Sequence, residues 1–240
     1  MNIIITGASR GLGNAIAESF AAKGHNLFLC SQNELLLYKA MEVLTTKYPG
    51  ITIKARPFNL ADEAQAKAFG RWAMAETQRP GHQNNNIDIL VNNAGQFLPG
   101  SIYNEKEGTL EKMIEVNLYS AYHLTRVILP QMMKQKSGHI FNICSIASLK
   151  AYHNGGSYSI SKFALAGFSK NLREEMKEHG IKVTAVYPGA AYTDSWAATG
   201  MDQNRFMEAK DIADIIFASS QLSMQACVED IVLRPQLGDI

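Results

Sequence analysis

Met1-Asn2-Ile3-Ile4-Ile5-Thr6-Gly7-Ala8-Ser9-Arg10-Gly11-Leu12-Gly13 is an apolar run of strand length that passes straight into a glycine-rich turn. The residues that follow, Asn14 to Lys23, carry apolar side chains at helical spacing and stop at Gly24. A strand, a glycine turn and a helix in that order predict a dinucleotide cradle. Glycines let the backbone approach a pyrophosphate, and the helix N-terminus offers unpaired N–H groups at the positive end of its dipole. The spacing is G-x3-G-x-G and not the standard G-x-G-x-x-G, and strand-to-helix turns use glycine for backbone reasons anyway. The turn therefore gains meaning only from what surrounds it.

Outward from this unit, apolar runs at 2–6, 26–31, 51–56, 87–91, 138–144, 181–187 and 228–233 alternate with longer segments of helical period. That alternation predicts an α/β fold of the doubly wound (Rossmann) kind: a mostly parallel seven-stranded sheet with helices on both faces, in one domain spanning 1–240. The 240 residues suffice for a substantial core, and no repeat or domain boundary interrupts them. A formal charge of +1 with dispersed Lys and Arg gives no basic tract for nucleic acid. No run approaches the roughly 18 apolar residues of a membrane span, and the first strand begins without a basic leader or cleavage site. Cys30, Cys144 and Cys227 are an odd, scattered set that suits a reducing cytoplasm, and each reads as a small apolar residue. No metal is expected; His82, in the polar Pro80–Asn86 loop, has no ligand spacing to another histidine.

Ser145 precedes Tyr158 by 13 positions, and Tyr158 precedes Lys162 by four. If Ser157 to Met176 is one helix, Tyr158 and Lys162 project from the same face about one turn apart. A free tyrosine, with a pKa of about 10, exchanges protons poorly near neutrality. A nearby ammonium is expected to lower that value, so that Tyr158 trades a proton with a carbonyl oxygen to which Ser145 also donates. Y-x3-K alone occurs by chance in many helices.

Together, Thr6-Gly7-x3-Gly11-x-Gly13, Asn92-Asn93-Ala94-Gly95, Ser145 with Tyr158-x3-Lys162, and Tyr187-Pro188-Gly189-x3-Thr193 resemble the short-chain dehydrogenase/reductase family in order and spacing, over residues 2 to about 235. Within its non-extended branch, Ser137-Gly138-His139-Ile140-Phe141 and Ile231-Val232-Leu233-Arg234-Pro235 look like the bacterial sepiapterin-reductase-like group, beside 3-oxoacyl-carrier-protein reductases. The resemblance implies hydride transfer from a reduced nicotinamide to a small carbonyl substrate. Tyr158 would supply the proton, Ser145 would polarise the oxygen, and Lys162 would lower the tyrosine pKa and hold the nicotinamide ribose. Asn117 would support a water relay as a fourth catalytic residue, and a satisfied core asparagine is its plain alternative. The resemblance also implies that the Pro188-Gly189 turn and Thr193 receive the nicotinamide, that Asn93, Ala94 and Gly95 border the adenosine side, and that the chain forms a homodimer or homotetramer through its long helices.

Cofactor choice turns on the second strand, Leu29-Cys30-Ser31-Gln32-Asn33, where no acid precedes Glu34. Dinucleotide folds that prefer NAD place an acid near this point, so NADPH is expected over NADH, with Ser9, Arg10, Ser31 and Gln32 around the 2′-phosphate. Asn59, followed by Leu60, stands where the family has an aspartate beside the adenine, and its amide oxygen can still accept that bond. Asp62 reads as a helix N-cap. Gln96, Tyr152, His153, Tyr192 and Trp196 are candidate substrate contacts, and 194–207 is a candidate lid. A general carbonyl reductase leads, with a 3-oxoacyl or sepiapterin-type reductase as alternatives. From another class, a non-catalytic dinucleotide-binding regulator would have no need of Ser145, Tyr158 and Lys162.

Overall fold

A computed structural model describes residues 1–79, 85–193 and 200–239. The seven apolar runs form the seven strands of one sheet: β1 (Asn2–Thr6), β2 (Asn26–Ser31), β3 (Ile53–Pro57), β4 (Ile89–Asn92), β5 (Gly138–Ile143), β6 (Ile181–Pro188) and β9 (Asp230–Leu233). Their order is β3-β2-β1-β4-β5-β6-β9, and every neighbouring pair is parallel. The connections include α1 (Gly11–Ala21), α2 (Glu34–Lys47), α3 (Glu63–Thr77), α4 (Thr109–Ile114), α5 (Ser120–Gln135), α6 (Gly156–Met176) and α7 (Ala209–Ser220). Asp62 caps α3 by accepting from the Gln65 N–H at 2.9 Å, as its position predicts.

Both faces of the sheet are covered because side chains alternate along each strand. Ile3 and Ile5 pack with Ile16, Phe20, Leu27, Leu29, Ile212 and Ile216 on one face, against α1 and α7. Ile4 points the other way, into Phe28 of β2 and Phe69, Leu124, Ile128 and Leu172 from α3, α5 and α6. At about 1.5–3 kcal/mol for each fully buried large apolar side chain, these two layers are the main source of stability. A polar bridge crosses the second layer: Asn92 Nδ2 donates to Asn142 Oδ1 at 2.8 Å and to Thr125 Oγ1 at 3.0 Å, while Asn142 Nδ2 donates to Ser169 Oγ on α6 at 2.9 Å.

Strand order reverses between β1 and β4, and the connections diverge there to leave a crevice at the carboxyl ends of the strands. Two features were not expected. A single π-helical turn, Glu115–Tyr119, joins α4 to α5. After β6, the short strands β7 (Ala191–Tyr192) and β8 (Met207–Glu208) pair in parallel and bracket the candidate lid. Residues 194–199 of that segment, with Trp196, lie outside the described residues, as do residues 80–84 with His82. Among the described residues no helix is long and apolar enough to cross a membrane, and no group of His, Cys, Asp and Glu could hold a metal ion.

Candidate active site and nucleotide cleft

The crevice is a cleft of about 780 Å³. Gly7, Ser9, Arg10, Gly11, Leu12 and Gly13 form one wall, Ser31, Gln32, Asn59 and Leu60 the outer end, and Asn93, Ala94, Gly95 and Thr193 the inner end. Gln96, expected as a substrate contact, completes the lining together with Asn33, Leu36, Phe58, Ala61 and Val116, which sequence reasoning did not assign. Phe58, Ala61 and Asn33 flank residues it did identify, so strand-end position was the available signal.

The glycines are where chain meets chain. A Cβ on Gly13 would stand 2.2 Å from the Gly7 carbonyl oxygen, so helix α1 can approach β1 only without one. Gly7 (φ 65°) and Gly11 (φ 55°) take left-handed conformations that favour glycine. A Cβ on Gly11 would lie 3.4 Å from Thr193 Cγ2, which brings the turn after β6 over the glycine turn. Arg10 is the N-cap of α1 and contributes no side-chain cap, so the helix start keeps its N–H groups for the cleft. These features, a cradle free of side chains facing an uncapped helix N-terminus, fit a pyrophosphate. At the outer end Ser9 Oγ and Ser31 Oγ lie 2.9 Å apart, joining the turn after β1 to the end of β2. Asn59 Oδ1 accepts from the Ala61 N–H at 3.2 Å and retains a lone pair.

Other expected cofactor residues serve the frame. Thr6 is buried, and its hydroxyl accepts from the N–H groups of Asn93 (2.9 Å) and Ala94 (2.8 Å), fastening the turn after β4 to β1. Asn93 Nδ2 donates back to the carbonyl oxygens of Thr6 (2.9 Å) and Gly7 (3.2 Å). Pro188 ends β6, and Gly189 donates to the Leu233 carbonyl at 2.8 Å; neither lines the cleft.

Gly95 is the junction between the cleft and the polar cluster. A Cβ there would stand 2.9 Å from Asn117 Oδ1 and 3.5 Å from Lys162 Nζ. Asn117 is fully buried within the π turn. Its Oδ1 accepts from the Gln96 N–H at 2.8 Å, and its Nδ2 donates to the Gln96 carbonyl (3.0 Å) and to Ser161 Oγ (2.9 Å). Both amide hydrogens are thus engaged, and the side chain braces the loop after β4 against α6.

Ser145 caps the short turn Ile146–Ser148, where its Oγ accepts from the Ala147 N–H at 3.1 Å. The Ser145 hydroxyl also hydrogen-bonds the Tyr158 phenol oxygen, in the sense that favours the phenolate. Tyr158 and Lys162 share one face of α6, as their spacing predicts, with Nζ 6.0 Å from the ring centroid. The expected fall in the tyrosine pKa is corrected here. Burial pushes the Tyr158 hydroxyl up to about 12, against the smaller lowering effect of Ser145. Lys162, also buried, is itself brought down to about 8 by desolvation and donates to the Ile143 carbonyl at 2.8 Å. Desolvation decides both groups, and the phenol keeps its proton at neutral pH.

The candidate substrate contacts separate. Gln96 lines the cleft, and the half-exposed Tyr152 ring lies against Gly155 and Ser159 at the start of α6. His153 is exposed. Tyr192 packs edge-on against Phe206 at 5.7 Å and borders a different hollow with Glu208 and Asp211. Phe97, unnoticed in the sequence, meets the Tyr158 ring edge-on at 4.8 Å.

Comparison with known proteins agrees with this arrangement. The family model described as short chain dehydrogenase matches residues 1–204. A protein of Chlorobaculum tepidum named sepiapterin reductase is 32% identical over 246 residues, covering 99% of this chain and 97% of that protein. An uncharacterized oxidoreductase of Staphylococcus epidermidis is 30% identical over 233 residues, covering 97% and 96%. A metagenomic short-chain oxidoreductase solved with NADP superposes with a TM-score of 0.82 at 28% identity, over 98% of this chain and 97% of that one. L-sorbose reductase from Gluconobacter frateurii, solved with NADPH and L-sorbose, gives 0.87 at 25% identity, over 97% and 94%.

Proposed function

Because the chain belongs to the short-chain dehydrogenase family, we propose that this oxidoreductase uses NADPH to reduce a small carbonyl compound, with Tyr158 as the proton donor. One observation carries the reading: a protonated phenol and the serine hydroxyl hydrogen-bonded to it share a cluster that abuts, through Gly95, a cleft fitted to a pyrophosphate. NADPH, when bound, supplies the hydride. The uncapped start of α1 and the glycine turn hold the pyrophosphate, and Ser9, Arg10, Ser31 and Gln32 surround the 2′-phosphate. The NADP-bound relatives support that choice, as does the lack of an acid at the tip of β2.

At the reacting end, Ser145 Oγ donates to the carbonyl oxygen and polarises it. Tyr158 Oη delivers its proton to that oxygen as negative charge builds there. Lys162, held by the Ile143 carbonyl, stabilises the phenolate that remains, and Asn117 keeps the Gln96 loop and α6 in register around it. Large apolar side chains exposed on α5 and α6, among them Tyr122, Ile160 and Phe163, support a homodimer formed through these helices, which light scattering would test. The three unpaired cysteines support a reducing, cytoplasmic setting.

The test is NADPH oxidation followed across ketones, diketones, quinones, pterins and 3-oxoacyl thioesters. Turnover of at least one class, with NADPH favoured over NADH, is expected. Tight NADPH binding with no turnover of any would instead identify a nucleotide-binding regulator.

A further inference from the structure

The first turn of α6 carries Tyr158 but has no cap of its own. Its N-cap residue is Gly155, which offers no side chain, so the free N–H groups of the first turn need partners from elsewhere. The partner is Glu105, 52 residues earlier in the chain. Its carboxylate accepts from the Ser157 N–H at 3.3 Å and from the Ser157 hydroxyl. Ser157 is fully buried and Glu105 partly so, which places the pairing at the edge of the interior.

Several features exist only to allow that approach. Gly156 has φ 36°, and a Cβ there would stand 2.4 Å from the Gly100 carbonyl oxygen and 2.9 Å from Glu105 Oε2. The Gly100 N–H donates to the Asn154 carbonyl at 3.1 Å, and Ser101 Oγ donates to Asn154 Oδ1. Asn154 itself sits at φ 62°, in the left-handed region. Glu105 is held in turn by its own N–H, which donates to the Ser101 carbonyl at 2.9 Å. Among the described residues no salt bridge reaches Glu105, so its charge is directed at the positive end of α6. The same loop carries Phe97 against the Tyr158 ring.

We infer that Glu105 is a positioning residue for Tyr158: it closes the first turn of α6 from outside and fixes the phenol between Ser145 and Phe97. Tyr158 is the third residue of the helix, within the turn that frays first when its N–H groups lose their acceptors. A phenol displaced by even a fraction of its reach delivers its proton less often, while the cleft that binds the nucleotide is untouched. The inference rests on the reading of Tyr158 as proton donor, and its test has an arm that does not.

Glu105→Ala and Glu105→Gln are compared in the full chain by steady-state kinetics and by amide hydrogen exchange. In Glu105→Ala, kcat is expected to fall about 10- to 100-fold with the KM for NADPH unchanged, and exchange at Ser157 and Tyr158 to quicken about tenfold. Glu105→Gln, whose amide oxygen still accepts from Ser157, is expected to recover most of both. Wild-type kcat in Glu105→Ala, an equal loss in both variants, or a loss confined to the KM for NADPH would overturn the proposal. If the wild-type chain reduces no carbonyl compound, the reductase reading fails by itself, and unchanged exchange at Ser157 is then the result that overturns the role of Glu105. Should Glu105→Ala not fold, Ser157→Ala removes one of the two bonds: a lowered kcat at constant KM for NADPH supports the proposal, and a wild-type kcat overturns it.

Discussion

Lys162 Nζ donates to the Ile143 carbonyl oxygen at 2.8 Å, which ties the middle of α6 to the last residue of β5. Burial holds the pKa of this ammonium at about 8 against an ordinary 10.5. As pH rises through about 8 the charge is lost, so kcat/KM for carbonyl reduction should decline on the alkaline side with a midpoint in that region. Tyr158, at about 12, does not titrate there. Stability moves the opposite way. Between about 8 and 10.5 the unfolded chain holds a proton that the folded chain has released, so wild-type protein should gain stability relative to Lys162→Met across that window. Melting temperatures of the two proteins from pH 7 to pH 10 check this, and a constant difference would count against the buried, perturbed lysine.

Tyr158→Phe should lower kcat by about 10²–10⁴-fold, the usual worth of a positioned acid. NADPH affinity, read from the nucleotide's fluorescence, should be little changed, because the phenol lies outside the cleft lining. A variant that turns over normally would remove Tyr158 from the chemistry.

Gly13→Ala should both destabilise the fold and block the nucleotide. The added methyl would stand 2.2 Å from the Gly7 oxygen and 2.5 Å from Asn93 Nδ2, and the first of these is backbone that cannot swing aside. A loss of about 1–3 kcal/mol in urea unfolding is expected, as for other overpacked sites, together with weaker NADPH binding. A neutral result would mean that α1 can withdraw from β1.

Arg10→Ala should reduce the preference for NADPH over NADH by about 10- to 100-fold, the loss of one charge-assisted contact to phosphate. The change should fall on KM and leave kcat with NADPH at saturation near the wild-type value. An unaltered preference would transfer the 2′-phosphate contact to Ser9, Ser31 and Gln32.

The seven strands were legible because fully buried parallel strands write themselves as apolar runs, and Asn2–Thr6 or Asn26–Ser31 admit no other reading beside turn residues. Tyr158 and Lys162 were legible because helical spacing fixes a shared face. What escaped was set by distant contacts. The π turn around Asn117 depends on Gln96 and Ser161 satisfying one buried amide, and no local pattern announces it. The direction of the Tyr158 shift escaped for a related reason: spacing places an ammonium on the same helix face, but only the fold shows how deeply the phenol is buried, and that burial sets the direction. That the Thr6 hydroxyl also fastens the Asn93–Ala94 turn is invisible until β1 and β4 are seen side by side.

The bridge from Asn92 through Asn142 to Ser169 bears on how the chain avoids assembling wrongly. Along β4 and β5 the paired residues include Leu90 with Ile140 and Val91 with Phe141, apolar side chains that tolerate exchange of neighbours. A slip of one position would turn each of them to the opposite face, which is also apolar, but it would strand the Asn92 and Asn142 amides in a dry interior at about 1–3 kcal/mol for each lost partner. Because the last member of the bridge sits on α6, the same penalty rejects a helix docked one turn out of place. Two asparagines and a serine thereby act as a key for the mutual alignment of two strands and the helix that bears Tyr158, a discrimination that oil-like contacts alone would not supply.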